Sequence, residues 1–288
     1  MNTSPQNNAR QAEYWEQRSS SWIEAEDYTK LVTGPFGRRA MDCLALEAGL
    51  SVLDVGCGTG PTTTELARRV MPGGSALGID IAPSMLVVAR SRADRESVDN
   101  AEFVVGDAQC DDVGDGVFDA VFSQFGVMFF SDPVAAFANL RRAVRVGGRI
   151  AFACWQEVFA NEWMLVPSSA VVAVTGQLPP MPGPGEPGPF ALSNAAYVEQ
   201  LLGDAGFGSI EVVPHAEQVV VSADRLDMVV EGASRIGGVR EALDTNRDPV
   251  FHRQLLSAVR AALLERVVDG ELRLGAAAFI VTAQPAVR

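Results

Sequence analysis

Chemistry-bearing side chains are scarce in these 288 residues: two histidines, four cysteines and, among 23 basic residues, a single lysine, Lys30. The cysteines (Cys43, Cys57, Cys110 and Cys154) are scattered, with neither paired metal-ligand spacing nor the pattern of a disulfide framework. They read as reduced, mostly structural thiols, and no metal is expected. Nearly all the positive charge is arginine, a fixed cation suited to planar ion pairs, and Schiff-base chemistry would rest on Lys30 alone. Positive charge is also outnumbered: the formal net charge is −13, so long-range repulsion argues against a nucleic-acid backbone as partner, although a local arginine patch could hold one small anion. No apolar window approaches the length of a membrane-spanning helix, and the opening "MNTSPQNNARQAEYWEQRSS" lacks the apolar core of a signal peptide. No membrane is expected as partner, and a cytoplasmic location is the default expectation. No internal repeat is present.

With 48% hydrophobic residues, the chain can bury a large core as one extended domain or one domain carrying a cap. Residues 10–48 read as helical, with Tyr14, Trp15, Trp22, Tyr28 and Leu31 set among acids and "GPFGRRAMDCLALEAGL" as a second helix closed by Gly49. From Ser51 the pattern alternates. Strands "SVLDVG", "SALGIDI", "AEFVVGD", "FDAVFSQF" and "GRIAFACW" are separated by helices "PTTTELARRVM", "APSMLVVARSRADRE" and "DPVAAFANLRRAV", with the third and fourth strands adjacent in sequence. Such alternation implies crossover connections and a parallel sheet.

After Trp155 the alternation stops. "VFANEWMLVPSSAVVAVTGQL" reads as one or two helices, and "PPMPGPGEPGPF", with six prolines in twelve residues, precludes regular structure. Pro179–Pro189 is therefore expected to be a flexible connection. A helix "NAAYVEQLLGDAGF", one or two strands in "SIEVVPHAEQVVVS", a helical stretch from about Ala223 to Val268 and a last strand "AAAFIVTAQ" complete the chain. The expected division is 1–48 as an N-terminal helical cap and 49–156 as the ligand-binding α/β core. Residues 157–192 form a helical insertion with the proline-rich loop, and 193–288 the C-terminal part of the sheet with a further helical insertion.

The stretch "VLDVGCGTGPTTTELA" places Gly56, Gly58 and Gly60 where a strand turns into a helix, beyond the carboxyl end of a parallel strand, where such sheets bind ligands. Glycine tolerates positive φ and lets the backbone lie against a ligand, while Pro61 suits the first helical position, where free amides and the helix dipole favour an anion. A dinucleotide is the first candidate, since Asp80 ends the second strand and could bind ribose hydroxyls. Two residues oppose it: Pro61 stands where the third glycine of G-x-G-x-x-G would fall, and Asp54 would crowd a pyrophosphate. A zwitterionic ligand fits better, with Asp54 organising the loop or facing an ammonium group, and that points to S-adenosylmethionine.

Five motifs in order, "VLDVGCGTG", "GIDIAPSML", "FVVGDAQ", "FDAVFSQFGVMFFSDP" and "LRRAVRVGGRIAFACW", resemble the class I S-adenosylmethionine-dependent methyltransferases. The likeness spans about Pro35 to Trp155, and it is to the branch that includes ubiquinone and menaquinone biosynthesis enzymes and many natural-product methyltransferases. The resemblance implies a Rossmann-like α/β fold: a mostly parallel seven-stranded sheet with helices on both faces, plus helical N-terminal and inserted cap segments. It implies S-adenosylmethionine as cofactor, with Asp54, Gly56, Gly58, Thr59 and Gly60 at its methionine part, Asp80 on the ribose hydroxyls, and Ile81 and Met85 against the adenine. Asp107 and Ala108 correspond to the position holding the adenine amino group and ring edge; Ser123, Gln124 and Phe125 correspond to the wall near the reactive methyl. Each has a structural rival: Asp80 as a strand-end acid satisfied by loop amides, Asp107 as a turn cap, Ile81 and Met85 as core.

Methyl transfer is an in-line displacement in which the protein mainly aligns and desolvates the nucleophile, so no catalytic group is compulsory and none is assigned. His215 and His252 both lie outside the cofactor motifs, and Glu157 and Glu162 follow the fifth strand. An acceptor pocket is expected from Met128, Phe129, Trp155, Phe159, Trp163 and Met164, with Tyr14 and Trp22 from the cap, and it would favour a small, largely apolar or aromatic acceptor. Ordinary core packing is the rival reading of each of these residues. The function expected is methyl transfer to a terpenoid, polyketide, quinone or indole-derived metabolite at carbon, oxygen or nitrogen. The alternatives are an NAD(P)-dependent Rossmann oxidoreductase and a non-catalytic S-adenosylmethionine-binding protein, and a homo-oligomer is left open.

Overall fold

The computed structural model describes residues 5–178 and 186–286. Two helices open it, α1 (Pro5–Glu24) and α2 (Glu26–Cys43). The second begins eight residues earlier than its glycine and proline suggest: Gly34 and Pro35 sit inside α2, because one face carrying Tyr28, Val32, Phe36 and Ala40 is buried and holds the helix through the break.

Alternating elements follow: β1 (Ser51–Val55), α3 (Pro61–Arg69), β2 (Ser75–Asp80), α4 (Pro83–Arg95), β3 (Ala101–Val105), β4 (Phe118–Gln124), α5 (Pro133–Ala143) and β5 (Val144–Trp155). Helices α3, α4 and α5 each start on proline, whose missing N–H costs nothing in the first turn. Then come α6 (Glu162–Thr175), α7 (Ala195–Asp204), β6 (Phe207–Ser222), α8 (Leu226–Arg235), α9 (Gly237–Thr245), α10 (Pro249–Leu264), β7 (Val267–Val268) and β8 (Glu271–Pro285).

The sheet order is β3-β2-β1-β4-β5-β8-β6, with the two-residue β7 paired to β8. Strands β1 to β5 are parallel, and β8 runs antiparallel between β5 and β6. This is the Rossmann-like methyltransferase fold, a mixed sheet of seven full strands. Strand order reverses between β1 and β4, so the connections that follow these two strands lead away in opposite directions along the sheet and leave a crevice at the carboxyl ends.

Phe122, Phe137, Phe152, Leu53, Leu66 and Ile150 are fully buried in the core. Strand β6 is one unbroken element, and β8 starts at Glu271, earlier than its apolar run, because the two pair along nearly their whole length from Phe207↔Pro285 to Ser222↔Glu271. The far half of this hairpin extends past β5, and the insertion helices α6, α8, α9 and α10 pack there with α2. No helix among the described residues is long and apolar enough to cross a membrane.

Candidate active site

A cavity of about 830 Å³ lies over the crevice. Its floor is the loops after β1, β2 and β3 with Gly126; its roof comes from α1, α2, α6, the aromatic residues after β4, Trp155 at the end of β5, Pro187–Phe190 and the junction of α8 with α9.

The floor is built from backbone. Gly56 (φ +67) closes on Gly126, and a Cβ on Gly56 would stand 2.9 Å from the Gly126 Cα, so the two loops at the strand-order reversal touch. Gly58 (φ +53) differs, since a Cβ there would meet nothing within 4 Å and would project into open space. Asp80 joins the two halves of the floor: Oδ2 accepts from the Gly58 amide at 2.7 Å and Oδ1 from the Ala82 amide at 2.9 Å. Burial pushes its carboxyl above the usual range, and these backbone donors oppose that shift.

Asp54 lies beneath the loop, fully buried, with Oδ2 accepting from the hydroxyls of Thr62 (2.6 Å) and Thr63 (2.7 Å) at the start of α3. Its Oδ1 has no partner among the described residues. Desolvation raises its pKa to about 6, against the two hydroxyl donors.

The roof is aromatic. Phe125, held at φ +62 at the end of β4, stacks on Trp155 with centroids 3.9 Å apart, and Trp155 also meets Phe36 (5.4 Å) and Trp163 (5.0 Å). A left-handed phenylalanine is strained, and here the strain aims the ring at the wall. Trp15 packs edge-on against Phe129 (4.7 Å) and against Trp22 (5.5 Å). The Gly188 amide donates to the Met128 carbonyl, fixing the end of the proline-rich segment; residues 179–185 lie outside the described residues.

Of the residues expected from sequence, Gly56, Gly58, Thr59, Asp80, Ile81, Met85, Asp107, Ala108, Gln124 and Phe125 share this cavity with Tyr14, Trp22, Met128, Phe129, Trp155, Trp163 and Met164. Four do not line it. Asp54 acts from below, through Thr62 and Thr63. Gly60 (φ +80) packs outward, where a Cβ would be 2.8 Å from Ala89 and Phe103. Ser123 is buried, donating to the Val55 carbonyl and accepting from the Gly126 amide, so it ties the loops together. Phe159 is 78% exposed, because its short 3-10 turn points away from the roof. Neither histidine lines the cavity: His215 bonds Glu217 at 2.8 Å, and His252 faces the carbonyls of Leu243 and Asn246. Glu162 is spent on Arg266 and the Gly275 amide.

Sequence patterning missed the contribution of α2. Gln124 donates through Nε2 to Thr33 Oγ1 (3.1 Å) and lies so close to α2 that any Cβ on Gly37 would overlap its amide. Glu26 accepts from Thr59 Oγ1 (3.0 Å) and pairs with Arg92, which also donates to the Thr59 carbonyl, pinning the cap to the glycine loop. Glu241 of α9 is a half-buried carboxylate in the wall, its pKa raised by burial and opposed by Arg18 at 3.9 Å. Nothing in the sequence around Glu241 marks it, since α9 is brought to the cavity by packing on α6 and α8.

Residues 52–148 match a family model described as a methyltransferase domain. The matched residues are similar to class I S-adenosylmethionine-dependent methyltransferase domains. The family's methyl donor is S-adenosyl-L-methionine. The chain is 38% identical over 118 residues to aklanonic acid methyltransferase of a Streptomyces species, covering 41% of this chain and 54% of the relative. It is also 38% identical over 114 residues to a ubiquinone/menaquinone biosynthesis C-methyltransferase of Hahella chejuensis, covering 39% and 46%. The chain thus spans about half the length of the curated relatives it matches. A crystal structure of the YcgJ protein from Bacillus subtilis shares the fold of the methyltransferase domain and its extensions (TM-score 0.57, 15% identity, 88% of this chain and 98% of that one).

Proposed function

We propose that the protein transfers a methyl group from S-adenosylmethionine to a small, largely apolar metabolite. One observation carries this reading: a glycine-lined floor at the strand-order reversal and an aromatic wall face each other across a single cavity. The residues present fit the cofactor. Gly58 leaves open space where a side chain would stand, and the Asp80 carboxylate stands in the wall beside it, where ribose hydroxyls could donate to it. Ile81 and Met85 would flank the adenine and Asp107 and Ala108 its edge, with Gln124 and Phe125 near the transferred group. When bound, the cofactor supplies an activated sulfonium methyl.

The chain's own residues position and desolvate the acceptor. Phe125, Trp155 and Trp163 exclude water and offer flat apolar faces, while the Gln124 amide, held by Thr33, gives one polar contact beside them. With no histidine in the cavity, rate comes from proximity, which suits a carbon nucleophile or an amine that arrives neutral. Terpenoid, polyketide, quinone and indole-derived acceptors fit such a wall. Relatives named for aklanonic acid and for ubiquinone and menaquinone support this range.

The test is incubation of the protein and labelled S-adenosylmethionine with host metabolite extract, followed by mass spectrometry. A labelled small molecule formed only with active protein is the expected result. Binding of nicotinamide dinucleotides in preference to S-adenosylmethionine would instead favour an oxidoreductase. Cofactor binding without any labelled product would favour a non-catalytic binder.

A further inference from the structure

Three side-chain oxygens are buried without a hydrogen-bond partner among the described residues: Gln11 Oε1, Asp54 Oδ1 and Asn100 Oδ1. Asn100 spends its amide nitrogen on the carbonyls of Ala67 and Gly74, away from the cavity, and Asp54 lies under the glycine loop. Gln11 stands in the cavity wall itself. A buried polar atom that goes unpaired is costly, and in a native site it commonly awaits a ligand or a water.

Helix α1 turns Gln11, Trp15, Arg18 and Trp22 toward the cavity at helical spacing. Its position over the floor is fixed at two neighbouring points. Trp15 packs on Phe129 after β4, and Glu16 accepts from the Ser84 amide (3.2 Å) and hydroxyl at the start of α4. The amide one turn before Trp15 therefore shares the cavity with Ala82, Met85, Asp107 and Ala108. A carboxamide carries one acceptor and one donor side by side, the complement of the N6 amino group and N7 of adenine.

We propose that Gln11 reads the adenine of the methyl donor, with Oε1 accepting from the exocyclic amino group and Nε2 donating to N7. The inference rests on the methyltransferase reading. The amino group has two hydrogens, so Gln11 and Asp107 can each accept one. It also gives α1 a part in choosing the cofactor base, beyond covering the site.

The test is calorimetry on the full chain with S-adenosylhomocysteine and its 7-deaza analogue, in which N7 is replaced by C–H. The wild-type protein should bind the parent compound about tenfold more tightly than the analogue. Gln11→Met keeps the side-chain length without the hydrogen bonds. It should bind the parent about tenfold more weakly than wild type and no longer distinguish the two compounds. Its unliganded melting temperature should be at least that of wild type, because an orphaned oxygen is replaced by an apolar atom. Equal wild-type affinity for the two compounds overturns the N7 contact without any variant. Undiminished parent affinity in Gln11→Met, or a loss that leaves the preference intact, overturns the assignment. Failure of the wild-type protein to bind S-adenosylhomocysteine at all would overturn the methyltransferase reading too, so the two failures are distinguishable.

Discussion

The floor and the roof of the cavity are made by different physics. On the floor, the determining groups are backbone amides and glycine conformations in loops that leave neighbouring strands, with two acids at the ends of β1 and β2; Gly56 against Gly126 and Asp80 across to Gly58 tie these loops to the sheet. The roof is side-chain packing. Trp155, Trp163, Trp15 and Phe129 come from four separate elements and meet through aromatic contacts that have little directional requirement. A floor of this kind suits a constant ligand and a roof of this kind a variable one, so damage to each should be read by different measurements.

The sharpest way to break the comparison is the glycine pair. Gly60→Val would drive a side chain into Ala89 and Phe103 and should cost about 3 kcal/mol of stability. Gly58→Val enters open space and should cost only about 1 kcal/mol through its left-handed backbone, yet weaken S-adenosylhomocysteine binding about a hundredfold. Denaturant melts and calorimetry on both variants separate the effects. Wild-type affinity in Gly58→Val would reduce that loop to a tight turn.

The buried acid under the floor comes next. Asp54 titrates at about 6 in the fold against an ordinary carboxylate near 4, so the folded state holds the extra proton between those values. The sign is that stability falls as pH rises through this window, by up to about 3 kcal/mol at pH 7 relative to pH 4 for this group. Wild type should therefore gain stability relative to Asp54→Asn as the pH is lowered from 7 to 5. Parallel urea melts of the two proteins across this pH range check the sign.

Asp80→Ala should weaken cofactor binding at least about tenfold, since a charged acceptor is lost both to the ligand and to the Gly58 amide. Unchanged calorimetric affinity with an intact circular dichroism spectrum would leave Asp80 as a loop tie alone. The smallest effect is expected from the histidines. His215→Ala and His252→Ala should each keep turnover within about tenfold, about 1.4 kcal/mol of barrier. The pH profile of each variant should keep the shape of the wild-type profile, since neither imidazole lines the cavity. A loss near a hundredfold in either variant, with cofactor affinity unchanged, would place a base in the site and favour O-methylation.

Legibility in the sequence followed the same division. The strands and helices from Ser51 to Trp155 could be drawn from periodicity, because each is a short amphipathic or apolar run bounded by proline or glycine. Helix α2 could not: Gly34 and Pro35 signal a boundary that the burial of Tyr28, Val32 and Phe36 overrides. Motif position alone also did not show that Gly60 packs against α4 and β3 or that Ser123 joins two loops. Phe159 misled for another reason. An aromatic residue next to Trp155 and Trp163 in sequence carries no information about which way a 3-10 turn points it.

What the sequence determined by itself was the alternating core, the crevice at β1 and β4 and the chemistry of its floor, because glycine φ, strand ends and helix starts are set by residues next to one another. The tertiary structure decided the roof: that Gln11 and Trp15 of α1, Thr33 of α2 and Glu241 of α9 share one cavity with Trp155. These side chains are brought together only when apolar faces of distant helices are removed from water, and burial of that kind depends on area and shape rather than on any local order of residues.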